Sequence, residues 1–390
     1  MKSIMAVMTR RNIFKRILLV WVLVLISYYG TLLFAGLLHQ GLQNAFAHNR
    51  NNNNAIISYP NNIKTSHFSQ KEIMQERIKI NLNGSPPPYE SLPEVFPNNG
   101  SLRIEAIIHQ TWIDKNIPED FRKYVSSLKE HHRNYMYMFW TDKMAMKFVE
   151  AMFPMMLPFY VNYQRNLQRA DAVRYMILYE YGGVYADLDI VSLRPLDPIL
   201  RKYSCILSQE PHIHPIFYNN FYGLACNAFM ACRRHHPFMK ILVDNLPSFS
   251  VAAGVFDSTG PRFVTIVYRN YIVDHLHVNK ADADGVYLAP PEYFMPSSDP
   301  TLQKDLEHLC SKNTLTDLYK WLCERFKTHG LGGPVNYTFT DHKWVHTNMH
   351  SKPNTRIQTF SINEIVPDVK FYLQEASEQI KTNATKTPNS

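Results

Sequence analysis

The stretch from Gln168 to Pro195, QRADAVRYMILYEYGGVYADLDIVSLRP, restricts the fold more than any other part of the chain. Its first half repeats apolar residues at helical spacing, with Val173, Met176 and Ile177 on one side and the polar pair Asp171 and Arg174 on another. Gly182 and Gly183 end that helix, because glycine takes the left-handed conformation that helix ends need and lets another backbone come close. A short strand, Val184 to Ala186, then delivers Asp187 and Asp189 at its far end. On a regular strand residues two apart point the same way, so these carboxylates converge on one divalent cation, directly or through water.

Read as a whole, Arg-Ala-Asp-x-x-Arg over 169–174 and Tyr-Gly-Gly-x-Tyr-x-Asp-x-Asp over 181–189 resemble the Asp-x-Asp glycosyltransferases of family 32, nearest to the inositol phosphoceramide mannosyltransferases. The resemblance implies a GT-A type α/β fold and a nucleotide-sugar donor held through Mn²⁺ or Mg²⁺. It makes Asp187 and Asp189 the catalytic pair, with Asp189 the more direct metal ligand and Asp187 shared between the metal shell and the ribose. Asp171, Arg174 and Tyr185 then join Asp187 in binding the donor. A planar guanidinium fork suits phosphate or sugar oxygens, and a carboxylate suits sugar hydroxyls. The same triplet, read as Asp187-Leu-Asp189-Ile-Val191, also fits the nucleophile motif of a haloacid-dehalogenase-type phosphatase, although the apolar strand before it is short for that fold.

Charge is concentrated at the N-terminus. Of the formal net charge of +8, Lys2, Arg10, Arg11, Lys15 and Arg16 contribute five, with no acid among them. Too little positive charge remains for a nucleic-acid footprint. The uncharged apolar run 17–38 is long enough, at about 20 residues, to cross a bilayer as a helix, and the basic tail 1–16 keeps the N-terminus cytosolic. A cleaved signal peptide is the alternative, but its apolar core would be shorter, about 7 to 15 residues. A polar segment, 39–102, includes the run Asn51–Asn54 and the triplet Pro86–Pro88. It buries too little apolar surface to offset its ordering entropy and reads as a flexible stem. The glycosyltransferase domain is assigned to 103–375 and a polar tail to 376–390. This organisation predicts a single-pass type II protein of the Golgi membrane with its catalytic domain in the lumen. Asn83, Asn99, Asn336 and Asn383 begin sequons available there. The five cysteines allow two disulfides; Cys226 with Cys232 and Cys310 with Cys323 are the close-spaced pairs, and five buried thiols are the alternative.

Within the domain, Ile104–His109 reads as a buried strand, Phe121–His131 as a helix, Tyr135–Trp140 as a strand and Asp142–Phe153 as a helix. That alternation predicts a mostly parallel central sheet flanked by helices. Trp112, at the carboxyl end of the first strand, is either a core side chain or a platform for the nucleotide base; the phrase Ile-Ile-His-Gln-Thr-Trp resembles the family's opening nucleotide-binding strand. Phe153–Tyr163, rich in proline, methionine and aromatics, either covers the core or lines an acceptor groove. His212 and His214 have a zinc-compatible spacing but no further ligand nearby. Asn227 stands near a strand start and is suited to sugar hydroxyls. Ser258-Thr-Gly-Pro261, which resembles a family segment, opens a helix whose amides either meet an anion or are simply capped. Asp282 and Asp284 repeat the Asp-x-Asp spacing in a turn. Near the end, Trp344 and His346 are expected to close over the diphosphate, with His346 as a further metal ligand.

The resulting expectation is a metal-dependent, retaining hexosyltransferase. Mannose from GDP-mannose is the favoured donor group, and the acceptor is a glycolipid such as inositol phosphoceramide, or a glycan. Galactosyl transfer from UDP-galactose is the alternative.

Overall fold

The computed structural model describes residues 94–219, 223–252, 254–345 and 358–372. The chain divides into two compact units, Met1–Lys64 and Thr65–Ser390, and every described residue belongs to the second. The expected anchor 17–38, the tails 1–16 and 376–390 and most of the expected stem lie outside the described residues. Among the described residues no helix is long and apolar enough to cross a membrane.

The strands are β1 (Ile107–Trp112), β2 (Asn116–Pro118), β3 (Met136–Thr141), β4 (Gly183–Ala186), β5 (Ile190–Ser192), β6 (Cys205–Gln209), β7 (Ala225–Cys232), β8 (Tyr287–Leu288), β9 (Thr340–His342) and β10 (Thr359–Ser361). Six of them form one sheet in the order β3-β1-β4-β7-β6-β8. β3, β1, β4, β6 and β8 run in one direction and β7 alone opposes them, so the mostly parallel sheet is present. β2 pairs with β10 and β5 with β9 in two small ribbons. β1 begins later than expected and runs through Gln110-Thr111-Trp112, because those residues stay in register with Phe139, Trp140 and Thr141.

The helices that matter for the site are α1 (Arg122–His131), α2 (Asp142–Met152), α3 (Leu157–Asn162), α4 (Asn166–Tyr181), α5 (Asp197–Lys202), α6 (Ile213–Asn219), α7 (Pro237–Phe249), α8 (Val255–Ser258) and α9 (Pro261–Asp274). Side-chain alternation along the strands feeds two cores. Tyr185 enters a cluster with Val173 and Ile177 of α4, Leu242 of α7 and Phe263 of α9. Val184 and Ala186 enter the other, with Val125 of α1, Ile199 of α5 and Phe339. Helix α4 is sandwiched so closely that every residue from Ala172 to Leu178 is buried, the polar Arg174 included. The end of the expected stem is already part of the domain: Lys202 donates to Glu94 at 2.7 Å, and Phe96 packs edge-on against Tyr293 and Phe339.

The two-glycine break is required sterically. Gly182 and Gly183 have φ of +67° and +98°. A Cβ on Gly182 would fall on the Glu105 carboxylate, and one on Gly183 would lie 2.6 Å from the Ile107 carbonyl oxygen. Gly183→Ala is expected to destabilise the domain by about 3 kcal/mol or more, since strain and a backbone clash add. A denaturation midpoint equal to wild type would show that the sheet has room there.

Beside this break, His109 is fully buried. Its Nδ1 accepts from the Trp140 indole N–H at 3.2 Å, so its Nε2–H donates to the Gly182 carbonyl at 2.8 Å. Burial pushes the imidazole down to about 4, against a smaller upward pull from Gly182. A second proton would point at the Trp140 N–H. Stability from the neutral ring is therefore complete above pH 6.5 and lost as pH falls towards 4, by about 3 kcal/mol. Urea titrations at pH 7 and pH 4 should show this loss, and His109→Gln should reduce it.

Two disulfides form. Cys310–Cys323 is the expected close-spaced pair. Cys226–Cys232 is not made: both residues lie on β7, and six residues of extended strand separate them by about 20 Å. Cys232 instead faces Cys205 across the β6–β7 ladder and bonds to it, leaving Cys226 free and buried.

Candidate active site

The Asp-x-Asp triplet is a turn between strands. β4 ends at Ala186, the amide of Ile190 closes back on the Asp187 carbonyl at 3.1 Å, and the chain then leaves the main sheet for the β5–β9 ribbon. That switch brings in a residue from far along the sequence. Ile190 pairs with His342 on β9, which sets the imidazole Nε2 3.1 Å from Asp189 Oδ1. One ligand atom from each of Asp187, Asp189 and His342 lies within 4.8 Å of the others. Among the described residues this is the single cluster with metal-ligand geometry. His346, expected in this role, lies outside the described residues.

Asp187 is held by one oxygen and offers the other, whereas both oxygens of Asp189 have partners. Asp187 Oδ1 accepts from the Tyr185 hydroxyl at 2.7 Å and from Arg174 at 3.0 Å. Its Oδ2 has no partner among the described residues, and the side chain is 31% exposed. Asp189 Oδ2 accepts the Val345 amide at 2.8 Å while Oδ1 faces His342. Burial alone would raise the Asp189 pKa, but His342 and that amide favour the anion and the net shift is downward. His342 moves the other way: burial lowers it, Asp189 raises it, and the net shift is upward. Two carboxylates and an imidazole are a donor set that Mn²⁺ or Mg²⁺ accepts. His342 Nδ1, buried without a hydrogen bond, leaves the ring able to turn towards a cation.

Behind the triplet stands a buried polar network. Arg174 Nη1 reaches Asp187 and the Asn227 carbonyl at 2.9 Å, Nη2 lies 3.1 Å from Asp171, and the guanidinium sits 4.5 Å over the Tyr185 ring. Asp171 Oδ1 accepts from Asn227 Nδ2 at 2.8 Å and Oδ2 from the Thr259 hydroxyl at 3.0 Å. Burial pushes Asp171 up to about 6 although Arg174, Thr259 and Asn227 pull it back. The Tyr185 hydroxyl, held protonated by burial, also meets Thr111 Oγ1 at 3.0 Å. Residues from α4, β4, β7 and the Ser258–Pro261 turn are thus tied together around Arg174. Trp112 stands half-buried at the carboxyl end of β1, edge-on to Phe121 at 5.6 Å.

Other candidates are absorbed elsewhere. His214 Nδ1 pairs with Glu210 at 3.1 Å and its Nε2 accepts the Asp299 amide at 2.9 Å. Trp344 fits edge-on between His214 and His342, at 4.4 and 4.1 Å. Asp282 and Asp284 lie in an exposed turn, where Arg233 holds Asp284 at 2.6 Å. A cavity of about 450 Å³ lies beside that turn and not at the Asp187–Asp189–His342 cluster.

Residues 118–206, which contain the triplet, Asp171 and Arg174, match the family described as a glycosyltransferase sugar-binding region containing a DXD motif. This segment is a DXD-type glycosyltransferase sugar-binding region. Three relatives extend the similarity around it. Inositol phosphoceramide mannosyltransferase 1 of Schizosaccharomyces pombe is 36% identical over 179 residues, 44% of this chain and 53% of that protein. Inositol phosphoceramide mannosyltransferase 3 of the same yeast is 38% identical over 45% of this chain and 47% of its own. Mannosyl phosphorylinositol ceramide synthase CSH1 of Saccharomyces cerevisiae is 32% identical over 47% and 45%. The chain spans about half the length of the curated relatives it matches. The sugar-binding region contains Asp187 and Asp189 but ends well before His342, so the third residue of the cluster comes from sequence beyond the matched family segment.

Proposed function

We propose that the chain is a metal-dependent, retaining glycosyltransferase of GT-A type that moves mannose from GDP-mannose to an inositol-phosphoceramide-like glycolipid on the lumenal side of a Golgi membrane. The observation that carries this reading is the Asp187–Asp189–His342 cluster beyond the carboxyl end of β4, in a chain that over less than half its length is 36% and 38% identical to two inositol phosphoceramide mannosyltransferases. In open α/β sheets ligands sit outside the carboxyl ends of the strands. The two disulfides agree with an oxidising lumen, and the sequon residues Asn99 and Asn336 are exposed.

Asp187, Asp189 and His342 would hold Mn²⁺ or Mg²⁺, which when bound supplies Lewis acidity towards the diphosphate of the donor. Arg174 and Tyr185 hold the inner oxygen of Asp187, Oδ1, and would leave Oδ2 to face the cation. Trp112 flanks the same strand ends, where a nucleotide base can stack. Asp171, which the resemblance assigns to donor hydroxyls, is buried with both oxygens taken by Arg174, Asn227 and Thr259, and would act on the donor through Arg174.

Incubating the full chain with Mn²⁺, a panel of GDP- and UDP-sugars and inositol phosphoceramide vesicles tests the reading. Mannosyl transfer with an axial anomeric product, read by NMR, is expected. An inverted anomer would overturn retention, and turnover of UDP-galactose alone would move the assignment to galactosyl transfer.

A further inference from the structure

Single exposed apolar side chains are ordinary on a protein surface, but grouped ones mark contact surfaces. One group lies on a rim of this domain. From Ala151 to Ala170 the sequence has no acidic residue. This stretch leaves Met155, Val161 and Leu167 in solvent at 62%, 48% and 43%, and Arg165 is exposed among them. Ile113, 62% exposed, approaches from the end of β1. The Asp142 amide donates to the Ile113 carbonyl at 3.3 Å, and the Asp142 carboxylate lies in the field of Arg169. The ends of β1, α2, α3 and α4 therefore meet at one edge. That edge borders the candidate active site: Ile113 is two residues past Thr111, which bonds the Tyr185 hydroxyl behind Asp187, and Leu167 precedes Asp171 by about one turn.

We propose that this rim is a membrane-contact surface that enters the interfacial layer of an anionic bilayer and holds the reaction centre over a lipid acceptor in the same leaflet. The inference rests on the glycolipid reading above. Apolar side chains that reach into the acyl boundary, on a segment, 151–170, that carries Arg165 and Arg169 and no carboxylate, match hydrocarbon lying under a layer of phosphate oxygens. The exposed acids Asp114 and Asp142 stand beside it, Asp142 in the field of Arg169. Met155 in the turn before the short helix α3, and the branched Val161 on it, adapt to a lipid boundary without a shape-matched partner.

The cysteine content makes a direct test available, since four thiols are in disulfides and Cys226 is buried. Val161→Cys in the full chain, labelled with an environment-sensitive dye, is placed in nanodiscs of phosphatidylcholine and phosphatidylserine; Lys320→Cys, on the helix Asp317–His329 at a side chain 60% exposed and outside the proposed rim, is the control. The expected result is dye emission shifted to the blue at 161 and quenched by brominated acyl chains, with neither effect at 320. Equal behaviour at both positions would overturn the proposal. So would a blue shift at 161 that brominated lipid leaves unquenched, because it would give the rim to a protein partner. In a second arm, Val161→Asp with Leu167→Glu should raise KM for vesicle-borne acceptor about tenfold while leaving acceptor-free donor hydrolysis unchanged; an unaltered KM counts against the rim. Quenching at 161 in a chain that transfers to no lipid would keep the membrane contact and remove the glycolipid reading, so the two can fail separately.

Discussion

Asp189→Asn lowers transfer by roughly a thousandfold, about 4 kcal/mol of transition-state stabilisation, while the domain stays folded. The amide keeps the size of the side chain and its oxygen still accepts the Val345 amide, while its NH₂ pairs with His342 once Nε2 gives up its proton and accepts. What it removes is the negative charge on which, with that of Asp187, the proposed binding of a divalent cation depends. The companion measurement is thermal unfolding with and without Mn²⁺. Wild type gains stability in proportion to the logarithm of metal concentration once the site saturates, and the variant does not. A variant that keeps both its turnover and its Mn²⁺ shift would refute the metal site. EDTA should silence wild type and be reversed by Mn²⁺.

Arg174→Ala is expected to cost about 3 to 5 kcal/mol of stability, because it leaves Asp171 and the inner oxygen of Asp187 without their shared cation in a buried setting. Arg174→Lys should recover only part of this. A point charge on a flexible stem cannot reach Asp171, Asp187 and the Asn227 carbonyl at once, as the planar fork does. Guanidinium titrations of the three proteins measure the order directly. If alanine proved as stable as wild type, Arg174 would have to be a ligand-binding group only, and the positioning role would be wrong. Where Arg174→Lys folds, its turnover reports how far the orientation of Asp187 matters, separately from the presence of its charge.

Much of the domain was legible because its signals are local. Alternation of apolar strands with amphipathic helices announced a mostly parallel sheet, and the expected segments from Phe121 to Trp140 agree with the observed ones to within a residue or two. Gly182-Gly183 was legible because positive φ and a close backbone leave no choice of residue. The errors were of another kind. Cys226 and Cys232 are near in sequence but lie on one strand, and the partner of Cys232 is set by the register of β6 against β7. His346 lies outside the described residues, while His342, to which the sequence reading gave no role, stands beside Asp189. The useful signal was the buried run ending in Phe339-Thr340-Asp341, which makes a strand and gives His342 a fixed place in it.

The sequence alone determined the helix, the glycine break and the acidic triplet, because helix period, glycine torsion and the spacing of two carboxylates depend only on neighbouring residues. Tertiary structure decided which atoms of that triplet are held and which are offered. Arg174 and Tyr185 take one oxygen of Asp187 from behind, and β9 brings His342 and the Val345 amide to Asp189 from the far end of the chain. Such contacts are fixed by strand pairing between distant segments, and no local pattern encodes which segment will arrive.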